Sequence, residues 1–494
     1  MTSALLAAAP LGVVLVAMVA LRRSAAVAGA LGLAVAAVLA VTTFDLGVAT
    51  DGRPRAAAAG TFAEAAHSTA VILWIILPAL MLFEFQKRTG AIDRIRDMLG
   101  GLTDDRRLQA ILIAWFFGLF IEGAAGFGTP VALGAPLLVG LGYDPVRAVV
   151  LALLGHAAGV SFGAVGTPTL AQVTVSELDP TALAGRVALL HAILAPGLLL
   201  LTVRLAGDGP LSRSDVAWTA LAALCFLVPS VAIAALVGPE VPSLGGALIG
   251  VVAFIAILRR REAAGRLDAR GLLPDLAPYL AILALVLVTR LVPPLAEALR
   301  ALALDWTLFD TFSGSFEPLY HPGTLLFAGL GLAALLTGRA GRLGGALAAA
   351  LRRLLPVAVA LLLMLTLSRL MVHSGMIDTL ADAAALTGAA WPAVAPAVGV
   401  LGTFITGSAT ASNILFTEFQ LSAASALSLP PLALTAAQGM GSAIGNVVAP
   451  HNIIAGCATV GLVGREGDIL RKTALPGLVY TAGGGLLVLG FVSL

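Results

Sequence analysis

The chain has 494 residues, of which 59% are hydrophobic and only 11% carry a charge, and its mean hydropathy is +1.01. A soluble protein needs about a quarter of its residues charged to cover its surface, so most of this surface is expected to face lipid. The net charge of +2 indicates no particular partner. The sequence has no phosphate-binding loop, dinucleotide fingerprint, metal-ligand cluster or nucleic-acid patch, which argues against ATP-driven activity, cofactors, metals and nucleic-acid partners.

Apolar stretches long enough to cross a bilayer recur along the whole chain. A membrane core of about 30 Å needs about 20 apolar residues in a helix. The pattern predicts spans near 4–21, 25–48, 65–85, 146–170, 181–206, 215–238, 244–258, 276–298, 323–337, 353–373, 432–463 and 473–494. Two more apolar stretches, 108–142 and 391–428, are interrupted in the middle by Gly, Ser, Thr and Asn. The chain is therefore expected to be an all-α polytopic membrane protein.

Charged residues on the connections indicate how the spans are oriented. Lys and Arg cluster at 22–23, 87–107, 204–213, 259–270, 339–353 and 465–472. The loops at 171–180 and 374–390 contain acidic residues and no basic ones. Because cytoplasmic loops are rich in Lys and Arg, both termini are expected outside. All the basic loops fall on the cytoplasmic side only if 108–142 and 391–428 each enter and leave the membrane on the same side. They are therefore expected to be re-entrant hairpins, the first entering from the cytoplasm and the second from outside.

The two interrupted stretches resemble each other in sequence. Gly118–Ala125 reads GLFIEGAA, and 402–409, which lies 284 residues later, reads GTFITGSA. Farther on, FGAVGTP at 162–168 corresponds to IGNVVAP at 444–450, with an offset of 282 residues. The charged loops around the two stretches occur in opposite order. Two repeats of opposite orientation are therefore predicted, and inverted repeats with interrupted helices are typical of secondary transporters.

The repeats divide the chain into four parts. Residues 1–60 are interpreted as N-terminal spans and 61–206 as the first repeat. Residues 207–322 are interpreted as connecting spans with an outer loop, and 323–494 as the second repeat. The aromatic part of the outer loop, 299–322, is expected at the membrane interface, and roles as a lid or as a contact in a homodimer stay open.

Helix breaks at mid-membrane are expected to line a cavity, because unpaired backbone groups in hydrocarbon cost several kcal/mol each. A break also leaves helix N-termini, whose free N–H groups suit the carboxylate of a small organic anion. The alternative is that the small residues only allow tight helix packing. The candidate binding residues are Gly123, Gly126, Gly128, Thr129, Gly166, Thr167, Ser408, Thr410, Ser412, Asn413, Asn446, His451 and Asn452.

Ionisable side chains within apolar stretches are costly and point to function. Glu122 is a candidate proton carrier because burial disfavours its charged form, the alternative being a structural carboxyl group. His156 is a second candidate for proton coupling, unless it is a satisfied core histidine. Arg290 could neutralise a carboxylate or extend its side chain outward. Arg369 is expected at the interface, and Glu418 has no obvious partner in the sequence.

At these residues the chain resembles the L-lactate permease family of bacterial 2-hydroxycarboxylate transporters, which includes glycolate permeases. The resemblance implies proton-coupled uptake of lactate or glycolate across the bacterial inner membrane, and an ion-transporter-type fold with two re-entrant hairpins. It rests on IEGAAGFGTPV at 121–131, LVGLG at 138–142, FGAVG and Pro168 at 162–168, GPEVP at 238–242, TGS at 406–408 with Ser412 and Asn413, and GLVGRE at 461–466.

The chain also departs from the family pattern. Family members have Asp where this chain has Ala409, often have Asn near His156, and have a Ser-Pro-Gln-like run at 450–452, which here is Pro-His-Asn. These departures lie in the predicted site, so they bear on the substrate rather than on the fold. Without the acid at Ala409, Glu122 or a histidine would carry the coupling.

Two further hypotheses remain at this point. A sodium-coupled carboxylate carrier is one, since carbonyl, Ser and Thr oxygens at the breaks could coordinate sodium. A membrane-embedded enzyme using Glu122, His156 and serines is the other. No catalytic arrangement is recognisable in the sequence, and catalysis gives no reason for an inverted duplication, so the chain is not expected to be an enzyme.

Overall fold

Helices dominate the computed structural model, which describes residues 2–21, 23–46, 50, 52–126, 128–261 and 269–493. The elements are α1 Thr2–Leu15, α2 Ala25–Thr42, α3 Pro54–Arg88, α4 Ala91–Gly100, α5 Arg106–Ala110, α6 Gly118–Ala125, α7 Thr129–Gly140, α8 Pro145–His156, α9 Gly163–Ser176, α10 Pro180–Ala206, α11 Arg213–Leu236, α12 Pro242–Arg261, α13 Ala269–Leu291, α14 Pro293–Arg300, β1 Leu304–Leu308, β2 Phe312–Phe316, α15 Pro322–Leu336, α16 Leu343–His373, α17 Met376–Ala385, α18 Trp391–Thr406, α19 Ala409–Ala426, α20 Pro431–Gly445, α21 Pro450–Thr459 and α22 Glu466–Ser493. Short π-helical or 3₁₀ segments lie at Val16–Ala20, Ile111–Phe117, Ala157–Phe162, Ala340–Arg342 and Gly388–Ala390.

Twelve helices in the described part of the chain are long and apolar enough to cross a membrane. The expectation of an all-α polytopic membrane protein with about twelve spans is therefore confirmed. The twelve helices are not all the same as the twelve spans predicted from the sequence. Thr2–Met18 and Pro322–Leu336, both predicted as full spans, are shorter, whereas Arg106–Ala125 and Gly388–Thr406, the first limbs of the interrupted stretches, are long enough to cross.

A small β-hairpin lies in the loop at 299–322, for which the sequence pattern predicted no strand. Strands β1 and β2 pair antiparallel, with Leu304 opposite Phe316 and Leu308 opposite Phe312. The chain reverses through Phe309 and Asp310, both with positive φ, which suits the twist of a tight hairpin. The Phe312 ring is buried over Gly60 of α3, where an added Cβ would overlap it. The hairpin is therefore packed on α3.

One series of elements occurs twice along the chain. The 35-residue α3 and the 31-residue α16 are each followed by a 10-residue helix. Each short helix begins after a glycine in the left-handed region, Gly90 and Gly375, a conformation that glycine adopts without steric cost. An interrupted helix pair, a helix with a break and a long helix follow in both series, as α5 to α10 and α18 to α22.

Three of the four helical stretches that carry breaks are also the most deeply buried candidate spans in the described part of the chain. The apolar windows of Arg106–Ala125 and Pro145–Ser176 are 100% buried within the protein, whereas that of Ala25–Thr42 is 28% buried. Helices α18 and α20 approach closely: a Cβ added at Gly399 of α18 would meet the backbone of Gln438 on α20. The outer helices face lipid, and the irregular backbone lies inside, where protein groups can satisfy it.

Candidate functional site

The first break separates α6 from α7. Gly126 and Gly128, on either side of it, have φ values of 56° and 76°. Side chains with a Cβ rarely adopt this region, so glycine allows the chain to turn here within the protein interior. Helix α7 then begins at Thr129 with Pro130 in its first turn, where proline's missing N–H costs no hydrogen bond.

The second break lies between α8 and α9. After the 3₁₀ segment Ala157–Phe162, residues Ala164, Val165 and Gly166 have φ values of 43°, 55° and 79°, and regular helix resumes at Thr167. Positive φ is unusual for alanine and rarer still for β-branched valine. Backbone strain of this kind persists where the surrounding structure enforces it and is found preferentially at functional sites.

The other two breaks lie in the second series. Helix α18 ends at Thr406 and is followed by Gly407, with φ 69°. Ser408 caps α19 by accepting a hydrogen bond from the N–H of Ala411 at 3.3 Å. Helix α20 ends at Gly445, and α21 begins at Pro450. Each of the four breaks thus ends one helix and begins another within a few residues.

All four breaks meet at one cavity of about 30 Å³, which is room for about two water molecules. It is lined by Glu122, Gly126, Gly128, Val160, Gly163, Ala164, Thr167, Pro168, Gly407, Ser408, Ala409, Thr410, Asn446 and Asn452. The candidates from the sequence among them are Glu122, Gly126, Gly128, Thr167, Ser408, Thr410, Asn446 and Asn452. The others have no polar side chain to single them out, and all of them except Val160 belong to the same sequence motifs.

Three candidate residues of the first series lie beside the cavity without lining it. An added Cβ at Gly123 would meet the backbone of Leu244 on α12, and one at Gly166 would overlap the carbonyl of Pro239. Thr129 donates its hydroxyl hydrogen to the Gly126 carbonyl at 2.7 Å. The two glycines therefore allow close packing, which was the alternative explanation for small residues.

Three candidates of the second series also lie outside the lining. Ser412 donates its hydroxyl hydrogen to the Gly399 carbonyl at 2.8 Å. Asn413 donates from Nδ2 to the Pro168 carbonyl at 3.0 Å, which links the second break of one series to α19 of the other. His451 is exposed next to Gly407. Asn413 thus helps to hold the two series together at the cavity.

Glu122 and His156 form a buried pair at the edge of the cavity. Both residues are 2% exposed, and His156 Nε2 lies 3.8 Å from Glu122 Oε2. His156 donates from Nδ1 to the Ala152 carbonyl at 2.6 Å, so in a neutral ring Nε2 carries the lone pair. Among the described residues Glu122 Oε2 has no hydrogen-bond partner. A single proton can therefore reside either on Glu122 Oε2 or on His156 Nε2, which lie 3.8 Å apart.

A second buried histidine, which the sequence did not single out, contacts the 3₁₀ segment Ala157–Phe162. His191 Nε2 lies 2.9 Å from the Ser161 hydroxyl, and its Nδ1 lies 2.6 Å from the Tyr480 hydroxyl. Ser161 in turn donates to the Gly439 carbonyl at 3.1 Å. These bonds join α10, α20 and α22 to the irregular backbone beside the cavity.

The arginines flagged in the sequence find carboxylate partners away from the cavity. Arg290 pairs with Glu240 at 2.8 Å, and both side chains are at most 6% exposed. Arg369 pairs with Glu418 at 2.7 Å, which supplies the partner that the sequence did not reveal. Neither arginine lines the cavity. Arg290 therefore neutralises a carboxylate of the protein itself.

The electrostatics of the cavity come from backbone. Of its described lining residues none is basic, and Glu122 is the only one with a titratable side chain. Helices α7, α19 and α21 and the regular part of α9 begin at the lining, so the positive ends of four helix dipoles face it. Free N–H groups at helix N-termini bind anions. The preceding helices end at the same place and present carbonyl oxygens, which can coordinate a cation.

Comparisons with known proteins agree with this architecture. The fold is similar to that of the YdaH transporter of Alcanivorax borkumensis, with a TM-score of 0.50, 15% sequence identity, and coverage of 88% of this chain and 87% of that one. The glycolate permease GlcA of Escherichia coli K12 is 30% identical over 99% of this chain and 95% of its own length. An L-lactate permease of Streptococcus iniae is 32% identical over 75% of this chain and 81% of its own length.

The family model described as L-lactate permease matches residues 3–493, nearly the whole chain. The family model and the relatives above are named as permeases, which are transporters rather than enzymes. Together with the twelve apolar helices, this makes the chain a multi-pass membrane transport protein. The chain belongs to the L-lactate permease family.

Proposed function

We propose that the protein imports a small 2-hydroxymonocarboxylate, lactate or glycolate, together with protons across the bacterial inner membrane. The observation that carries the proposal is the meeting of four helix N-termini around a cavity whose one described titratable lining side chain is Glu122. The names of the relatives, L-lactate permease and glycolate permease, indicate the class of substrate.

The substrate carboxylate is held by backbone N–H groups in this proposal. Because no described lining residue is basic, the helix dipoles supply the compensating positive charge. The hydroxyls of Ser408 and Thr410 and the amide of Asn452 supply polar partners for the 2-hydroxyl group. A cavity of about 30 Å³ is smaller than such an ion, so the helices around it separate when substrate enters.

Protons are carried by Glu122 in concert with His156. Among the described residues Glu122 Oε2 has no hydrogen-bond partner, and desolvation in the interior penalises the charged form of a carboxyl group. Binding of an anion beside it is easiest while it holds a proton. Release of the anion then favours release of the proton on the same side, which couples the two movements.

Alternating access is proposed to follow from the two series of elements. A basic loop precedes the interrupted stretch 108–142 and an acidic loop precedes 391–428, which supports opposite orientations of the two series in the membrane. Repeats of opposite orientation that rock against each other expose a central site to each side in turn. Re-entrant hairpins at 108–142 and 391–428 and external termini are part of the same proposal.

Uptake of labelled L-lactate into liposomes under an inward proton gradient tests the function. Wild-type protein is expected to accumulate lactate, and a protonophore is expected to abolish the accumulation. Glu122→Gln keeps the shape but not the proton exchange, so we expect it to exchange lactate down its gradient and to lose at least about tenfold in gradient-driven uptake. Glu297→Gln, which changes an exposed carboxylate on α14, is the matched control and should behave as wild type.

The role of Glu122 as proton carrier is wrong if Glu122→Gln still accumulates lactate to the wild-type level, and proton coupling itself is wrong if the protonophore leaves the accumulation unchanged. A sodium-coupled carrier is the second candidate, favoured by the carbonyl ends of α6, α18 and α20 at the cavity. Replacing external sodium by choline separates the two, since only a sodium carrier loses uptake. If neither lactate nor glycolate is taken up, the departures at Ala409 and 450–452 have changed the substrate.

A further inference from the structure

A groove separate from the central cavity opens between α8, α10 and α22. Its volume is about 890 Å³, far larger than the central cavity. It lies at the ends of these helices that carry basic residues, the ends assigned to the cytoplasmic side by the distribution of Lys and Arg. We call it the basic groove.

Cationic side chains form the outer end of the basic groove. Arg204 lies in the last turn of α10, and Arg471 and Lys472 lie near the start of α22. All three are exposed, and within the described part of the chain no carboxylate pairs with them. Arg147 is the fourth cation, but it pairs with Asp208 at 2.7 Å, and the hydrogen bond from Arg147 lowers the pKa of the Asp208 carboxyl group. Three unpaired positive charges therefore remain.

Apolar side chains form the inner walls of the same groove. Ile193 on α10 is 48% exposed, and Leu475 and Val479 on α22 are 66% and 62% exposed. Gly197 lies between these walls, and a Cβ added there would meet no atom within 4 Å. Because glycine has no side chain, the groove is open at this point, between its basic end and Ile193.

The dimensions of the basic groove match one leaflet of a bilayer. Arg204 lies eleven positions after Ile193, a distance of roughly 16 Å at the helical rise of about 1.5 Å per residue. Half of a membrane core is about 15 Å. A molecule that fits must therefore combine a negative group at the membrane surface with an apolar chain reaching the bilayer middle.

We propose that the basic groove binds an anionic phospholipid of the cytoplasmic leaflet, with its phosphate at Arg204, Arg471 and Lys472 and an acyl chain between α10 and α22. Basic pockets between transmembrane helices on this side of a membrane bind anionic headgroups. A free phosphate ester would leave the apolar walls uncovered. A second copy of the chain seated groove against groove would bring two sets of like charges together.

Native mass spectrometry of the detergent-purified full chain tests the proposal. Phosphatidylglycerol and phosphatidylcholine with identical acyl chains are added at equal concentration, and we expect wild type to retain phosphatidylglycerol preferentially. The triple variant Arg204→Gln, Arg471→Gln, Lys472→Gln should bind it about 100-fold more weakly. A control triple variant, Arg259→Gln, Arg260→Gln, Arg352→Gln, removes the same charge from exposed basic residues elsewhere and should bind as wild type.

A second variant tests the apolar part and leaves the charges intact. Gly197→Phe fills the space between the walls without meeting protein atoms at its Cβ, and we expect it to weaken phosphatidylglycerol binding by about tenfold. Equal lipid binding by wild type and the groove triple variant would overturn the proposal. So would unchanged binding by Gly197→Phe, or glycerol phosphate binding as tightly as phosphatidylglycerol, since that result would make this a site for a free phosphate ester.

Discussion

At the residue scale, the position of the Glu122 carboxyl group depends on a glycine that faces it. A Cβ added to Gly163 would overlap Glu122 Oε1, so the absence of a side chain at 163 allows the carboxyl group to reach the cavity lining. Gly163 follows directly on the 3₁₀ segment Ala157–Phe162. The irregular backbone thus makes room for the one described titratable side chain of the lining.

Gly163→Ala adds only a methyl group, but it is expected to impair transport strongly. The added methyl group must displace the Glu122 carboxyl group or the backbone of the break, an overpacking cost of about 1–3 kcal/mol. We expect initial lactate uptake to fall roughly tenfold or more. Gly134→Ala on α7 is the control, because its Cβ would make only an ordinary contact with Ala152 at 3.7 Å. Equal uptake by the two variants would show that Gly163 has no such role.

Single residues also show where sequence reasoning stops. The sequence identifies Glu122, Arg290 and Glu418 as costly charges within apolar stretches. It does not reveal that Arg290 of α13 pairs with Glu240, because Glu240 lies 50 positions earlier, in the connection between α11 and α12. Local composition measures the cost of burying a charge, whereas packing alone determines what offsets that cost.

At the element scale, glycines set the distance between α18 and α20. A Cβ on Gly399 would meet the backbone of Gln438 and Ser442, and one on Gly441 would overlap the carbonyl of Pro396. Small residues of this kind let helix backbones approach closely in membranes, where van der Waals contact drives association. The approach brings the ends of both helices, and so both breaks of the second series, to the cavity.

Gly399→Val is expected to destabilise the protein by about 3 kcal/mol or more, because backbone atoms cannot move aside as a flexible side chain would. The measurement is thermal unfolding of the purified protein in detergent. Gly331→Val on α15 introduces the same side chain where an added Cβ meets no atom within 4 Å. If both variants unfold at the wild-type temperature, the close approach of α18 and α20 contributes nothing to stability.

At the scale of the whole molecule, the distribution of basic loops predicts that both termini lie outside the cytoplasm. In a variant without Cys225 and Cys457, single cysteines replacing the exposed Ser3 or Ser493 should react with a membrane-impermeant maleimide in intact cells. A cysteine replacing Arg260 at the end of α12 should react only after the membrane is opened. Protection of either terminus in intact cells would contradict the proposed orientation.

The sequence by itself determined the class of protein, the positions of the apolar helices and the places where they break. Each of these is a local property, since hydropathy over about 20 residues, and glycine or proline at a break, act within one segment. Eight of the proposed site residues, Glu122, Gly126, Gly128, Thr167, Ser408, Thr410, Asn446 and Asn452, could be named in this way.

Only the tertiary structure decided that the four breaks meet at one cavity. It also decided that Gly123, Gly166 and Ser412 pack beside this cavity without lining it. It likewise decided the pairing of Arg290 with Glu240 and the formation of the basic groove from helices distant in the sequence. The physical reason is that these contacts join segments as far apart as Pro168 and Asn413, 245 positions. No local pattern encodes which helix packs against which, because that choice depends on the fit of all the helices together.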